Sequence, residues 1–519
     1  MRAEKSMRNI AFGLVLQVIN AITGFVTRTV LIRALGITIA GMGNLFTEVI
    51  AMLSMAELGI GSAITYHLYK PIAEHDEDRI CRLMDLYRGT YRIVAAAIFT
   101  LGLALIPLLP YLINKVDIPI SYVNTIYILF VVQTASSYLL TYKAAIFEAA
   151  QDQFWVSLIR AILRVVLCVA GVVVVTLTRD YIYYMLVTIA CTLASNQIIS
   201  MMADRKYPYL RERKQLPREE RRAVLANVKH MFIGRLSGRI TNSTDNILIS
   251  TMVSTAQVGY YGNYSLIITN VRKIADQIGS ATVGSIGNMM VTEDGPTCSK
   301  ILRRMTLVFY FIGSICACMM MACLNPIVTL WLGEDFLMGP ELVFVCVLNF
   351  FLIVLRSPVW SALTPSGLFK LTKYVSITGT VLNLITSVVF TLLWGMIGIF
   401  IGTTVSIVIQ LVLDVYLIWR KRLNVSPWEI GRPLLLMSGL ALLLMGAGYG
   451  LSLVLHTGSL WLDIALLLLA SAALALMTGL LVFYRTEEFG YLRWLAKRTL
   501  RKVHGLLRRG KSKAKPADA

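Results

Sequence analysis

Apolar runs of about twenty residues recur along almost the whole chain, and short polar connections separate them. A helix of that length crosses about 30 Å of hydrocarbon, where only structures that satisfy their own backbone hydrogen bonds are stable. At 57% hydrophobic and 15% charged residues, the 519-residue chain is too apolar for a soluble domain. The pattern predicts an all-α, polytopic membrane protein.

The apolar runs number about fourteen, and each predicts one transmembrane helix. The first run contains the polar residues Gln17, Asn20 and Arg28, which a short signal-peptide core would not carry, so it predicts an uncleaved span. The predicted crossings lie near 10–32, 42–66, 92–113, 122–142, 155–177, 181–203, 230–252, 259–282, 305–332, 341–363, 373–394, 396–419, 433–455 and 460–484.

Lysine and arginine accumulate in alternate connections, which marks the cytoplasmic side of a membrane protein. The richest is the loop 204–229, and the intervening connections carry few basic residues beyond Lys115 and Arg179. Both termini are therefore predicted to be cytoplasmic. Because the net charge of +20 is spread over these loops and the C-terminus rather than gathered in one patch, no nucleic-acid partner is predicted.

The basic loop also divides the chain into domains. Gly43-Asn44 opens the second predicted crossing as Gly262-Asn263 opens the eighth, a weak internal similarity between two halves. Parallel six-helix halves with a substrate site between them are one known transporter architecture. The predicted domains are an N-terminal six-helix lobe (1–203), a basic linker (204–229), a C-terminal six-helix lobe (230–419), two additional transmembrane helices (420–485) and a basic amphipathic tail (486–519) that binds anionic membrane lipids.

The seventh predicted crossing carries a stripe of polar residues on one helical face, which includes Arg235, Arg239, Asn242 and Asp245. Each arginine at bilayer depth costs roughly 2.5 to 3.5 kcal/mol on insertion scales, so this face needs water or partners. Two interpretations are open at this point. The stripe could line a cavity that binds an anionic group, or it could belong to a buried salt-bridge network that only holds helices together.

Other crossings carry similar polar residues, and cationic groups outnumber acidic ones. A guanidinium is well suited to phosphate because its planar fork donates two parallel hydrogen bonds. Some of these groups could instead be structural: Arg272 could pair with Asp276, and Arg356 could extend towards the membrane surface. The candidate cavity residues are Gln17, Asn20, Arg28, Arg160, Arg164, Arg235, Arg239, Asn242 and Lys273.

Glu48, Glu57 and Asp245 are the candidate acidic groups inside the membrane. They could couple transport to sodium ions or protons, or they could neutralise the arginines, and both interpretations stay open. The cysteine spacing indicates neither a metal site nor a disulfide framework, and no cofactor is predicted. No nucleotide-binding loop or nucleophile elbow occurs, so the sequence predicts a transporter rather than an enzyme.

Five segments resemble the polysaccharide-transporter branch of the multidrug/oligosaccharidyl-lipid/polysaccharide exporter superfamily, in particular its Wzx-type oligosaccharide flippases. The resemblance implies a MATE-like V-shaped bundle of two six-helix lobes, to which two extra C-terminal helices are added. The segments are AELGIGSAITYHLYKPIAEHDEDRI (56–80), TDNILIS (244–250), VGYYGNY (258–264), SIGNM (285–289) and TLWLGEDF (329–336).

The same resemblance implies a function. The protein would move an undecaprenyl-pyrophosphate-linked oligosaccharide across the bacterial cytoplasmic membrane by alternating access, for capsule, exopolysaccharide or O-antigen assembly. Its partners would include the glycan polymerase and glycosyltransferases of the pathway. The alternatives are a lipid II flippase or a multidrug exporter of the same superfamily. A membrane glycan polymerase is less favoured, because no predicted outer connection is long enough for a catalytic domain.

Overall fold

A computed structural model of the protein describes residues 2–57, 60–222, 224, 243–363, 365–490 and 493. The described residues form helices joined by turns, with no strand among them, which confirms the all-α prediction. The chain forms two compact units, Met1–Asn270 with Thr380–Gly402 and Val271–Gly379 with Thr403–Ala519. The domain boundaries proposed from the sequence stay predictions.

Seven long helices belong to the first unit, together with the first part of an eighth. Each overlaps a predicted apolar run. Shorter helices at Leu109–Leu112 and Ala144–Ala149 connect them. The long helices are α1 (Arg2–Leu35), α2 (Ile37–Leu53), α3 (Ile60–Glu74), α4 (Glu77–Ala104), α5 (Ile120–Thr141), α6 (Gln153–Thr178), α7 (Tyr181–Lys206) and α8 (Thr255–Thr292).

The second predicted crossing, near 42–66, is not one continuous helix, so that prediction was wrong. Helix α2 ends at Leu53, a 3-10 turn follows at Ser54–Glu57, and α3 begins at Ile60. The physical reason lies in partners distant in sequence. The Glu57 carboxylate accepts hydrogen bonds from Tyr91 of α4 and Tyr138 of α5, and these contacts hold the chain in the turn.

Helix α6 has one apolar face that is buried against the protein and another that is exposed. Val169 and Val173 are exposed, whereas Cys168, Gly171 and Val175 on another face are buried. An apolar side chain gains nothing from exposure to water, so an outward apolar face of this kind is expected to contact lipid.

The remaining helices are α9 (Gly295–Trp331), α10 (Pro340–Leu363), α11 (Phe369–Trp394), α12 (Met396–Val415), α13 (Trp428–Val454) and α14 (Leu460–Phe483). The second unit is built around α9, which packs against α10, α13 and α14. Of the candidate membrane spans, α9 is the most buried within the described part of the chain. Helix α12 continues as a π-helical segment, Tyr416–Arg422, and the division between the units falls inside α8, α11 and α12.

Eleven of the described helices are long and apolar enough to cross a membrane, which shows a multi-pass membrane protein. Three predicted crossings are not among them. The second is broken in two, the seventh lies mostly outside the described residues, and α8 carries polar residues such as Arg272, Lys273 and Asp276 within its length. The number fourteen therefore stays a prediction.

The loop that follows α7 folds back onto the start of α4. Lys214 Nζ lies 2.8 Å from Glu212 Oε2 and 3.0 Å from Asp78 Oδ1, and Arg79 pairs with Glu220 at 3.4 Å. The Lys214 ammonium donates hydrogen bonds to Glu212 and Asp78, and these bonds raise the pKa of Lys214. Exposed ion pairs contribute little singly, but this group positions the loop on α4.

The chain after α14 returns to the start of α9. Arg304 Nη2 lies 2.8 Å from Glu487 Oε1, and Arg303 pairs with Glu488. These contacts fix the beginning of the predicted amphipathic tail, whose residues 494–519 lie outside the described part of the chain.

Candidate functional site

The first unit contains a cavity of about 530 Å³ between five of its helices. Its polar lining residues come from all five helices, and no Asp or Glu occurs among the described residues that line it. With two arginines in its wall, the cavity carries net positive charge. The lining consists of Gly24, Thr27, Arg28 and Leu31 of α1; Ala40, Gly43, Asn44, Thr47 and Ile50 of α2; Phe130, Gln133, Thr134 and Ser137 of α5; Arg164, Leu167 and Cys168 of α6; and Tyr181, Tyr184, Met185, Thr188 and Thr192 of α7.

Arg28 lies in the cavity wall and also ties three helices together. Its Nε donates to Asn263 Oδ1 at 2.8 Å, its Nη1 to Asn44 Oδ1 at 3.2 Å, and its Nη2 to the Gly259 carbonyl at 2.6 Å. All three acceptors are neutral, so the positive charge is not cancelled. A guanidinium has five N–H donors, and these bonds leave two of them available to a ligand.

The two Gly-Asn pairs noticed in the sequence meet at this arginine. Asn44 and Asn263 both accept from Arg28, although they lie on α2 and α8. A Cβ on Gly262 would lie 2.6 Å from Arg28 Nη2 and even closer to the Asn44 amide, so this position requires glycine. The repeated dipeptide therefore has a physical role: glycine permits the close approach and asparagine supplies the acceptor.

Arg164 is the second arginine of the cavity, and unlike Arg28 it has no hydrogen-bond acceptor among the described residues. It is exposed, and it forms no hydrogen bond or salt bridge with any residue that the structure describes. Arg160, one turn earlier on α6, is also exposed but does not line the cavity. Of the two arginines predicted on this helix, only Arg164 presents an unengaged guanidinium to the cavity.

The remaining predicted ligand residues are dispersed. Gln17 Nε2 donates to Asn270 Oδ1 at 3.1 Å and so joins α1 to α8. Asn20 is exposed and does not line the cavity, and Lys273 is an exposed residue of the second unit. Arg235, Arg239 and Asn242 lie outside the described residues, so the stripe that they form stays a prediction.

Two of the three predicted acidic groups, Glu48 and Glu57, accept hydrogen bonds from hydroxyls. Glu48 accepts from Ser243 Oγ at 2.7 Å, and Ser243 is fully buried. Glu57 accepts from Tyr138 at 3.1 Å and from Tyr91. Asp245 lies half-buried in the helical residues 243–248. Within the described chain, neither Glu48 nor Glu57 forms a salt bridge with an arginine.

The sequence interpretation overlooked the uncharged polar residues of the cavity. On α5, Gln133, Thr134 and Ser137 recur at helical spacing inside an apolar run, a pattern that could have marked them. Thr188 and Thr192 of α7 also lie one turn apart. These hydroxyl and amide groups can both donate and accept, as binding of a sugar requires.

The second unit holds a different polar site. Arg356 Nε donates to Asp414 Oδ2 at 2.7 Å and Nη1 to Gln410 Oε1 at 3.0 Å. Asp414 is fully buried. A carboxylate from α12 therefore neutralises Arg356, so that this arginine has a charged partner inside the protein. Of the alternatives left open for Arg272, the structure shows the pair with Asp276, at 3.5 Å.

Comparison with known proteins gives the chain its relatives. Residues 6–283, more than half of the chain, match the family described as polysaccharide biosynthesis protein. No curated protein sequence matches the chain.

Solved structures show the same fold at low identity. The lipid II flippase MurJ in an inward closed conformation is 14% identical, with a TM-score of 0.69 over 92% of this chain and 99% of that one. An inward-facing multidrug resistance MATE family transporter of the MOP superfamily is 13% identical, with a TM-score of 0.57 over 79% and 94%. A MATE transporter of Vibrio cholerae is 15% identical, with a TM-score of 0.55 over 81% and 98%.

Proposed function

The chain belongs to the polysaccharide biosynthesis protein family of MOP-superfamily flippases, and from that premise we propose that it translocates an undecaprenyl-pyrophosphate-linked oligosaccharide. The proposed movement is from the inner to the outer leaflet of the bacterial cytoplasmic membrane, by alternating access. The oligosaccharide would be a repeat unit of capsule, exopolysaccharide or O-antigen.

One observation carries this proposal: the cavity of the first unit has two arginines and no carboxylate among its described lining residues. Arg28 keeps its charge because its acceptors are neutral oxygens, and Arg164 has no described partner. A pyrophosphate would be attracted to such a site, since hydrogen bonds between a guanidinium and phosphate oxygens are among the strongest in proteins. A cationic drug would be repelled.

The uncharged lining suits the glycan that follows the pyrophosphate. Thr47, Gln133, Thr134, Ser137 and Thr188 lie in the same cavity as the arginines. Sugar hydroxyls donate and accept hydrogen bonds, and these side chains do the same. The apolar outer faces of helices such as α6 would let the polyprenyl chain stay in lipid, so the cavity needs to enclose only the polar end of the substrate.

Lipid II is the second candidate substrate. Its flippase MurJ shares the fold over 92% of this chain, and lipid II presents a pyrophosphate and a sugar to the cavity just as the oligosaccharide does. The charge of the cavity favours both substrates over an organic cation. Lipid II and the proposed oligosaccharide substrate therefore differ only in the sugar that the cavity would have to recognise.

Purified protein in proteoliposomes tests the proposal through the leaflet location of three fluorescent substrates. These are an undecaprenyl-pyrophosphate-linked oligosaccharide, lipid II and a cationic dye, with protein-free vesicles as the control. We expect the oligosaccharide to move fastest and the dye to remain at the protein-free rate. Faster movement of lipid II would replace the proposed substrate, and transport of the dye alone would overturn the proposal.

A further inference from the structure

The intramembrane carboxylate of Glu57 lies in a hydroxyl network at one end of the cavity. Tyr138 donates to Glu57 Oε2 at 3.1 Å, Tyr91 donates to Oε1, and Tyr87 donates to the Tyr91 hydroxyl at 3.0 Å. Tyr87 and Tyr91 are almost fully buried. A Cβ on Gly61 would lie 2.8 Å from the Tyr87 hydroxyl, so the glycine leaves room for the network.

The network begins where the cavity ends. Ser137 is the last lining residue of α5, and Tyr138 follows it directly. Ile50 is the last lining residue of α2, and Glu57 lies seven residues further, at the end of the 3-10 turn that follows α2. These contacts join the α2–α3 turn to α4 and α5, at the end of the first unit that the distribution of lysine and arginine predicts to be cytoplasmic.

No described lysine or arginine pairs with Glu57. The ionisable groups that face it are Tyr87 and Tyr91 from α4 and Tyr138 from α5, and the carboxylate of Glu148, on the short helix Ala144–Ala149, acts electrostatically on Tyr87. Among the described residues, the groups that hydrogen-bond to the Glu57 carboxylate are therefore two tyrosine hydroxyls.

We propose that Glu57 and its three tyrosines form a proton-operated latch that closes the cytoplasmic end of the cavity, an inference that rests on the proposed transport function. Ionised Glu57 accepts from two hydroxyls and holds the turn against α4 and α5. When a proton binds one carboxylate oxygen, that oxygen becomes a donor and its tyrosine loses an acceptor. Since hydrogen bonds to a charged acceptor are about twice as strong as neutral ones, protonation loosens the turn and opens the cavity.

The latch is tested without substrate, so that its failure and the failure of the proposed function are distinguishable. Thr192 lines the same end of the cavity, on α7. A water-soluble maleimide labels the cysteine of a Thr192→Cys variant, and the rate of this labelling reports access to the cavity. The labelling rate of the parent chain, which has only its native cysteines, is subtracted. The rate is taken relative to that of the same cysteine in a Glu57→Gln background, which cancels the pH dependence of the thiol itself.

With Glu57 present, the relative rate is expected to rise as the pH falls, following a one-proton curve in which the open-to-closed ratio changes at most about tenfold per pH unit. At low pH the Thr192→Cys cysteine should be labelled equally fast with Glu57 present and in the Glu57→Gln background. A relative rate that does not change with pH, or a Glu57→Gln protein less accessible than the parent at any pH, would overturn the proposal.

A pair of hydroxyl deletions separates the hydrogen bond from packing. Tyr138→Phe removes a donor to Glu57 and should raise the relative rate several-fold at high pH. Tyr142→Phe is the matched control, because Tyr142 is buried in the same aromatic cluster but does not hydrogen-bond to Glu57. Equal effects of the two variants would show that packing rather than the hydroxyl matters, and the latch would then be rejected.

Discussion

Two arginines inside helical segments, Arg28 of the first unit and Arg356 of the second, have opposite electrostatic surroundings. Arg28 donates to two amide oxygens and a backbone carbonyl, all of them neutral. Arg356 donates to the carboxylate of Asp414. The first site keeps a net positive charge beside a cavity, whereas the second is close to neutral in a buried core.

This difference distinguishes a positive charge that can attract a ligand from one that a carboxylate of the protein already neutralises. A neutralised arginine offers an incoming anion little attraction, because its Coulomb field is largely cancelled by the carboxylate. An arginine held by neutral oxygens stays positioned and keeps its charge. The partners of an intramembrane arginine, rather than its presence, therefore indicate its role.

The largest effect on stability is expected from Asp414→Ala, because it leaves the guanidinium of Arg356 buried without its counter-charge. Breaking a buried ion pair in this way costs about 3–5 kcal/mol. Thermal unfolding of the detergent-solubilised protein measures the change. The double variant Asp414→Ala with Arg356→Met removes both charges and should recover most of the loss; a double variant as unstable as the single one would contradict the assignment.

A smaller loss is expected from Arg28→Ala, whose acceptors on α2 and α8 lose their donor. Because Arg28 borders the cavity, water can reach the three freed acceptors, and the net loss is expected to be about 1.5–3 kcal/mol, the contribution of one hydrogen bond to a charged group rather than the sum of three. Arg28→Lys is the informative companion, since it keeps the charge without the planar fork. It should be destabilised in thermal unfolding yet still bind an anionic headgroup. Normal stability of Arg28→Ala would show that these hydrogen bonds do not hold the helices.

The close contact at the Gly-Asn pair gives the next effect. Gly262→Ala should destabilise by about 1–3 kcal/mol, because its Cβ would overlap Arg28 and Asn44. Gly284→Ala on the same helix meets no atom within 4 Å and should be neutral or slightly stabilising. Unfolding midpoints of the two variants form the comparison. Equal midpoints would mean that the helices can separate without cost.

The helical architecture could be predicted because run length and hydropathy are local properties of the sequence. The α2–α3 break could not, since it depends on Tyr91 and Tyr138, which are 34 and 81 residues from Glu57. Helical spacing also identified Arg28 and Arg164 as polar residues of their crossings. It could not distinguish Arg164 from Arg160, because that distinction depends on walls contributed by other helices. Nor could it indicate that Arg28 is bound to Asn263, which lies 235 residues away.

The most direct test of the account compares two arginines of one helix. Arg164→Ala removes an unengaged guanidinium from the cavity wall, and Arg160→Ala removes an exposed one that does not line it. The measurement is the Kd of each variant for undecaprenyl pyrophosphate. We expect Arg164→Ala to raise the Kd about tenfold or more, as loss of a charged hydrogen bond requires, and Arg160→Ala to change it less than about twofold. Equal Kd values for the two variants would contradict the assignment of this cavity to the anionic substrate.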